Sequence, residues 1–113
     1  MGLKPQLINF LKKIFIILGI QSKIIRIDLE NNVIDTLVDF SIIPFFEFLE
    51  NDSYLIAIFE MGISVISKDG ELKWKLELPE ILIDWEIVDE NIKLSYFDGK
   101  IGIHSLKTGE LLS

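Results

Sequence analysis

Residues 63–79, "ISVISKDGELKWKLELP", and residues 99–112, "GKIGIHSLKTGELL", are two copies of one pattern. Each begins with a run in which apolar side chains recur. Each continues through a polar turn that ends at Gly70 or Gly109, and then enters a second apolar run. Alternating apolar and polar residues on either side of a glycine-containing turn are typical of two paired β-strands. The pattern therefore predicts an antiparallel β repeat.

A further copy lies near the start of the chain, at residues 23–34, "KIIRIDLENNVI", and its turn ends at Asn32. From Asn32 to Gly70 and from Gly70 to Gly109 the interval is nearly the same. Self-similarity at a period of about 40 residues, with four short strands in each unit, is typical of a propeller blade. We therefore expect Gly70 to overlay Gly109. Phe46 and Trp85 are separated by the same interval, which predicts that these two overlay as well.

The copies differ in how much of the four-strand unit, a to d, is recognisable. In the second copy we predict strands at 45–49, 54–59, 63–67 and 72–78. In the third we predict strands at 81–88, 92–97 and 100–105, with only a stub of strand d at 110–112. In the first copy we find only c, at 23–29, and d, at 33–42. Strand 54–59, "YLIAIF", is apolar on both faces, which predicts a strand covered on both sides.

These segments resemble the quinoprotein-type, PQQ-like β-propeller repeat, as about two blades without ring closure. In that family a Gly and alternating apolar residues lead to Thr-Gly or Asp-Gly, then an apolar stretch and a Trp. Trp74 is where the family has its blade-docking Trp, whereas Ser113 breaks the pattern in the last copy. The resemblance implies blade-like sheets, and partner binding through sheet edges and loops. We expect no quinone cofactor, because that site lies at the axis of a full ring.

The first twenty residues suggest a different element. Apolar residues recur at helical spacing from Leu7 to Leu18 and include Leu11 and Ile14, Pro5 suits a first helical turn, and Gly19 suits the position after a last one. We therefore predict a helix over residues 5–18 that replaces the missing strands and packs on the sheets. Its apolar run is too short for a membrane span, and neither a signal peptide nor a surface helix on a membrane fits well.

The predicted fold class is mainly β: two packed antiparallel blade-like sheets, as a half-propeller or sandwich, with one N-terminal helix. We expect a single domain over residues 1–113, with the helix at 5–18 and the β repeats at 22–113. The alternative is that the chain is a domain of a longer protein, which we consider less favoured because the sequence begins with Met1 and an ordered helix.

The sequence contains few of the residues that catalysis or metal binding needs. There is no cysteine, and His104 is the only histidine, so a zinc site of the usual Cys/His type is excluded. No serine lies in a nucleophile-elbow pattern, and the turn glycines are not followed by a helix that could bind phosphate. We expect no enzymatic activity, no cofactor and no metal, and the absence of cysteine is compatible with a cytoplasmic location.

Charge is the strongest functional signal. The formal net charge is −7, and the stretch from Ile27 to Ser67 carries eight acids and no Lys or Arg. Such a surface repels nucleic acid and favours a basic partner, although net charge also serves the solubility of a very apolar chain. Because Glu47 and Glu86 are separated by the interval of the repeat, we expect equivalent positions for them. The predicted partner-binding residues are Glu47, Glu50, Asp52, Asp84, Glu86, Asp89 and Glu90.

Two functions of different class follow. The first is an acidic inhibitor of a basic protein; in size, acidity and lack of cysteine the chain resembles immunity proteins of bacterial toxin systems, which implies a basic toxin such as a nuclease as partner. The second is a scaffolding β-repeat module that assembles through open sheet edges, on itself or on another protein.

Overall fold

The computed structural model describes residues 3–10 and 13–113, and this part of the chain forms strands, turns and loops without a helix. The first sheet is built from β1 (Leu3–Phe10), β2 (Lys13–Ile20), β3 (Lys23–Asp28) and β4 (Val33–Asp39). The second is built from β5 (Phe45–Glu50), β6 (Tyr54–Phe59), β7 (Gly62–Ser67) and β8 (Leu72–Glu77). The third is built from β9 (Leu82–Val88), β10 (Asn91–Tyr96) and β11 (Ile101–Ser105).

Each sheet is an antiparallel meander in which the strands lie in sequence order. We call the sheets blade 1 (β1–β4), blade 2 (β5–β8) and blade 3 (β9–β11). A single bridge between His104 and Leu111 marks the short fourth strand of blade 3. The strands predicted from residue 23 onward are confirmed to within a few residues, but there are three sheets rather than two.

The helix expected over residues 5–18 is wrong, because β1 and β2 pair as antiparallel strands, with Leu3 opposite Ile20 and Phe10 opposite Lys13. Leu11, which that prediction included, lies outside the described residues. When nearly every residue is apolar, as in 14–20, a helical period fits as well as a strand, and the β-branched isoleucines there favour the strand. Pro5 lies in β1, an edge strand, where a residue without an N–H group is tolerated.

Blade 2 lies between the other two and is apolar on both faces. Leu55, Ala57 and Phe59 of β6 belong to a core shared with blade 1, whereas Ile56 and Ile58 belong to a core shared with blade 3. All five side chains are buried. This confirms the prediction that the strand at 54–59 is covered on both sides, and it means that blade 2 connects the two hydrophobic cores.

The contact between blades 2 and 3 is closed by Trp74, which lies on the outer strand β8. Its Nε1 donates a hydrogen bond of 2.7 Å to the carbonyl of Leu106, and its indole covers Gly109 so closely that an added Cβ would lie 2.7 Å from the ring. Gly109 also has a positive φ of 78°, which an L side chain rarely adopts. Trp74 therefore has the blade-docking position that the family resemblance implied.

The contact between blades 1 and 2 uses different residues at the matching place. Arg26 donates a 2.6 Å hydrogen bond to the carbonyl of Gly70 and pairs with Asp35 at 2.8 Å. In the ladder of blade 1 Arg26 is opposite Asp35, just as Val65 is opposite Trp74 in blade 2. A polar pair thus replaces the apolar pair, and each interface keeps one side-chain donor on a carbonyl of the next blade.

Candidate acidic interface

The meander topology places turns of the same kind at one end of the molecule. In blades 2 and 3 the turn after the first strand and the turn after the third lie at the same end, because consecutive strands are antiparallel. In blades 2 and 3 these turns and the strand ends beside them carry seven acids and two lysines. We call this surface the acidic end; its acids are Glu50, Asp52, Asp69, Glu71, Asp89, Glu90 and Glu110, and its lysines are Lys68 and Lys107.

Four of the seven predicted contact residues lie at the acidic end. Glu50, Asp52, Asp89 and Glu90 are all exposed there. A cleft of about 180 Å³ is lined by Asn51 and Ser53 of blade 2 and by Glu90 and Lys107 of blade 3. The turns of the two blades therefore lie side by side. Residues far apart in sequence thus contribute to one surface.

The other three predicted contacts lie elsewhere. Asp84 and Glu86 are exposed on the side of blade 3 that faces away from blade 2, and Lys93 is opposite Glu86 in the ladder. Glu47 is half-buried in β5, opposite Ile58, on the side of blade 2 that packs against blade 3. The seven predicted contact residues are therefore divided among three places: the acidic end, the outer face of blade 3, and the contact between blades 2 and 3, where Glu47 is half-buried.

The ladder register also tests the predicted overlays. Ser67 and Ser105 end strands β7 and β11, and each accepts a hydrogen bond from the turn glycine, at 3.0 Å from Gly70 and 2.8 Å from Gly109. Both glycines close the turn after the third strand of their blade with a positive φ, but Gly70 follows Ser67 by three residues and Gly109 follows Ser105 by four, so they match in role and not in residue count.

Counting back from these two serines along the paired strands, Trp85 corresponds to Phe48 rather than to Phe46. By the same count Asp84, not Glu86, corresponds to Glu47. Phe46 and Trp85 are neighbours across the interface instead, with stacked rings 5.9 Å apart. The interval of the repeat failed here because blade 3 has one residue more than blade 2 in the turn between its second and third strands, and one more in the turn that ends at its glycine.

Side chains hold the turns of the acidic end in place. Asn51 Oδ1 accepts hydrogen bonds from the backbone N–H groups of Ser53 and Tyr54, at 2.9 and 2.7 Å. Glu50 pairs with Lys68 at 2.5 Å, so one of the acids is already neutralised. Asp52 is thus presented on a turn that needs little rearrangement, which lowers the entropic cost of binding a partner.

The equivalent turn of blade 1 is acidic as well. Asp28 Oδ1 accepts hydrogen bonds from the N–H groups of Glu30 and Asn31, at 2.9 and 3.0 Å, and Asp28 Oδ2 accepts one from the Asn31 side chain. These bonds, the Asn31 side-chain bond foremost, lower the pKa of Asp28 below its ordinary value. Asp28 therefore keeps its negative charge to lower pH than an isolated aspartate does.

A groove at the end opposite the acidic end was not predicted from the sequence. It has a volume of about 450 Å³, lies between the end of β8 and the side of blade 3 that faces blade 2, and is lined in part by Tyr96, Lys100 and His104. Burial raises the pKa of Tyr96, and the charge of Asp98 adds to this. His104 is buried, and its Nδ1 lies 3.0 Å from the carbonyl of Gly109. Because a carbonyl oxygen only accepts, Nδ1 is the donor of this hydrogen bond, and the ring supports the turn.

In residues 3–10 and 13–113 no three acidic, histidine or cysteine side chains converge in a way that could hold a metal ion. The same part of the chain contains no helix long and apolar enough to cross a membrane.

Comparisons with known proteins support the architecture alone. No family model matches the chain, and no curated protein matches it. Among solved structures it is similar to HIRA(644-1017), with a TM-score of 0.59, 6% identity, and coverage of 97% of this chain and 37% of that one. It is also similar to the AfRom2 CNH domain, with a TM-score of 0.55, 14% identity, and coverage of 94% and 38%.

A europium-containing methanol dehydrogenase is similar as well, with a TM-score of 0.54, 10% identity, and coverage of 98% of this chain and 26% of that one. The chain thus spans between about a quarter and two fifths of the length of these three structures. At such low identity the likeness shows the fold and not the activity. The chain has a propeller-like fold of three consecutive antiparallel blades.

Proposed function

We propose that the protein is a non-enzymatic binding module whose acidic end takes a basic protein partner, acting as an inhibitor of a basic toxin such as a nuclease. The observation that supports this best is the gathering of seven acids and two lysines on neighbouring turns of blades 2 and 3. Such a surface attracts a basic cleft over a distance of about 10 Å in dilute salt, which speeds the encounter of the two proteins.

The side chains with the best access are Asp52, Asp89 and Glu90. All three are exposed, and none of them is in an ion pair among the described residues. Glu50 contributes less because Lys68 already neutralises it. Glu47 is an unsuitable contact in this arrangement, since it is half-buried beside blade 3. Asp84 and Glu86 belong to a separate surface where Lys93 reduces the negative potential.

The test reverses charge at the acidic end and, as a matched control, at the opposite end. Asp52→Lys with Glu90→Lys is compared with Glu77→Lys and Glu80→Lys, which carries the same change in net charge. Each variant is immobilised and incubated with native lysate, and the proteins that it retains are quantified by mass spectrometry. We expect a basic protein that binds the parent and the control pair but is lost from the acidic-end pair.

The recovered partner then allows a kinetic measurement. Raising salt from about 0.05 M to about 0.5 M should slow association roughly tenfold or more, because screening shortens the reach of the surface charges. An acidic partner, or equal binding by both double variants, would rule out the proposal.

A further inference from the structure

The two free faces at the ends of the blade array differ in chemistry. We call the side of a blade that is turned towards the preceding blade its leading face, and the opposite side its trailing face. The leading face of blade 2 is formed by residues such as Leu55, Phe59 and Ile66, all buried against blade 1. The leading face of blade 3 contributes Ile92 and Leu94, buried against blade 2. Two of the three leading faces are therefore covered by another sheet.

Blade 1 repeats this apolar leading face without a cover among the described residues. Phe15 and Ile17 point towards blade 2, so the alternate residues Ile16, Leu18 and Ile20 of β2 lie on the other side. The ladder places Ile27 opposite Ile16, and Ile25 opposite Leu18. We call these five residues, Ile16, Leu18, Ile20, Ile25 and Ile27, the open face.

The open face is positioned like the covered ones. Ile20 pairs at the end of its hairpin as Phe59 does in blade 2, so Ile16, Leu18 and Ile20 correspond to Leu55, Ala57 and Phe59. The blade 2 residues are at most 1% exposed. Their counterparts in blade 1 are only half-buried. Next to Ile27 on the same side, Ile34 is 70% exposed.

The trailing face of blade 3 is polar over most of β9 and β10, where the trailing face of blade 2 is apolar, whereas Ile101 and Ile103 of β11 are apolar on this side. Glu86, Lys93 and Ser95 occupy the ladder positions that Leu49, Ile56 and Ile58 have in blade 2. Polar outer faces at these positions are typical of a terminal repeat that ends an array. The free face of blade 3 therefore carries charged and polar side chains that suit contact with water, whereas the free face of blade 1 is apolar and suits contact with another sheet.

We propose that the open face binds the open face of a second copy of this chain, in a two-fold symmetric dimer with blade 1 against blade 1. A head-to-tail contact is disfavoured because it would bury Glu86, Lys93 and Ser95 against isoleucines. The five residues of the open face are uncharged, and the two charged residues beside them on the same side, Lys23 and Asp39, are opposite each other in the ladder and add no net charge. Two copies of this side are therefore compatible with each other.

The charge of the blades points the same way. Residues 1–40 carry five bases and four acids, whereas residues 41–79 and 80–113 each carry seven acids and three bases. Pairing through blade 1 keeps the two acidic blades of each copy away from those of the other. The dimer buries a face and not a sheet edge, and it leaves the acidic end free, so it does not depend on the proposed partner.

The interface is small, and this decides the conditions of the test. A blade of four strands about 4.8 Å apart, with seven residues rising about 3.3 Å each, has a face of about 440 Å² in projection. Stable interfaces bury about 800 Å² of accessible surface per partner, so we expect a dimer that dissociates on dilution.

Light scattering after size exclusion should show a mass that rises with concentration towards twice 13.0 kDa, between about 1 μM and about 500 μM. Leu18→Lys with Ile27→Lys should keep the mass of a single chain throughout, whereas Ile103→Lys on the trailing face of blade 3 should behave as the parent. A monomeric parent over the whole range, or growth beyond the dimer, would overturn the proposal.

A cross-linking experiment remains informative if the lysine variant fails to fold. The chain contains no cysteine, so one introduced cysteine can link only to its own copy in a partner. Ile25→Cys lies in the middle of the open face and should give a disulfide-linked dimer on mild oxidation. Ile103→Cys should give much less. Equal cross-linking by both, or none by Ile25→Cys, would contradict the blade 1 contact.

Discussion

Gly19 is a residue whose role depends on packing between blades, although in the sequence it resembles the glycine that ends a helix. A Cβ at Gly19 would lie 2.3 Å from the ring of Phe45, which is itself buried across the contact between blades 1 and 2. Gly19→Ala should therefore destabilise the protein by about 1–3 kcal/mol, because the ring cannot move without disturbing its neighbours. The midpoint of urea unfolding measures this.

Gly102→Ala is the matched control for Gly19. There the added Cβ would meet its neighbours at 3.5 Å or more, an ordinary contact. This change should alter stability little, or raise it by up to about 1 kcal/mol. Equal destabilisation by both variants would show that Gly19 is not needed for the approach of Phe45. In sequence, Gly19 suggested the end of a helix, since nothing local reveals the ring of a residue in another blade.

Trp74 shows at the scale of an element what joins one blade to the next. Its Nε1–H group satisfies the carbonyl of the buried Leu106. Trp74→Phe keeps an aromatic ring but leaves that carbonyl without this donor, which should cost about 1–3 kcal/mol in the free energy of unfolding. Trp85→Phe is the control, because Trp85 contacts Phe46 by stacking. Similar losses in both would show that packing and not the hydrogen bond joins the blades.

The matching contact between blades 1 and 2 could have been predicted. Arg26 precedes Val65 by the interval that separates Gly70 from Gly109, and Asp35 precedes Trp74 by the same interval. A charged pair at two positions that are apolar in the next copy is a signal of a replaced contact. The signal is read only when the first copy is aligned as a complete four-strand blade, which the predicted helix over residues 5–18 does not allow.

At the scale of the whole molecule, the position of blade 2 between the other two predicts how stability is distributed. Its strands β6 and β7 are buried on both faces, whereas blades 1 and 3 each have a face on the outside. Amide hydrogen exchange should therefore be slowest for residues 55–59 and 63–66, and faster in β4 and β9. The measurement should be made at low concentration, where the proposed dimer is dissociated. Uniform protection across the three blades would mean that they open together.

Three features of the fold could be predicted from the amino-acid sequence: the repeat with its period, the strands from residue 23 onward, and the double-sided burial of the strand at 54–59. These features are local, because alternation of apolar residues and glycine-containing turns are read within a few positions. The acidity of the chain was equally plain, and four of the seven proposed contacts do lie on one exposed surface.

The other features depend on contacts between parts of the chain that are distant in sequence. In residues 14–20 nearly every side chain is apolar, so no period could distinguish helix from strand, and pairing with β1 and β3 settled it. Whether an acid on a strand is exposed depends on which face its strand turns to a neighbouring blade. For this reason Glu47 is half-buried beside blade 3, whereas Glu86 is exposed on the side of blade 3 that faces away from blade 2. The open face is recognised only when equivalent positions of the blades are compared. Its apolar residues are half-exposed, whereas the equivalent residues of the next blade are buried, and the sequence does not show this difference.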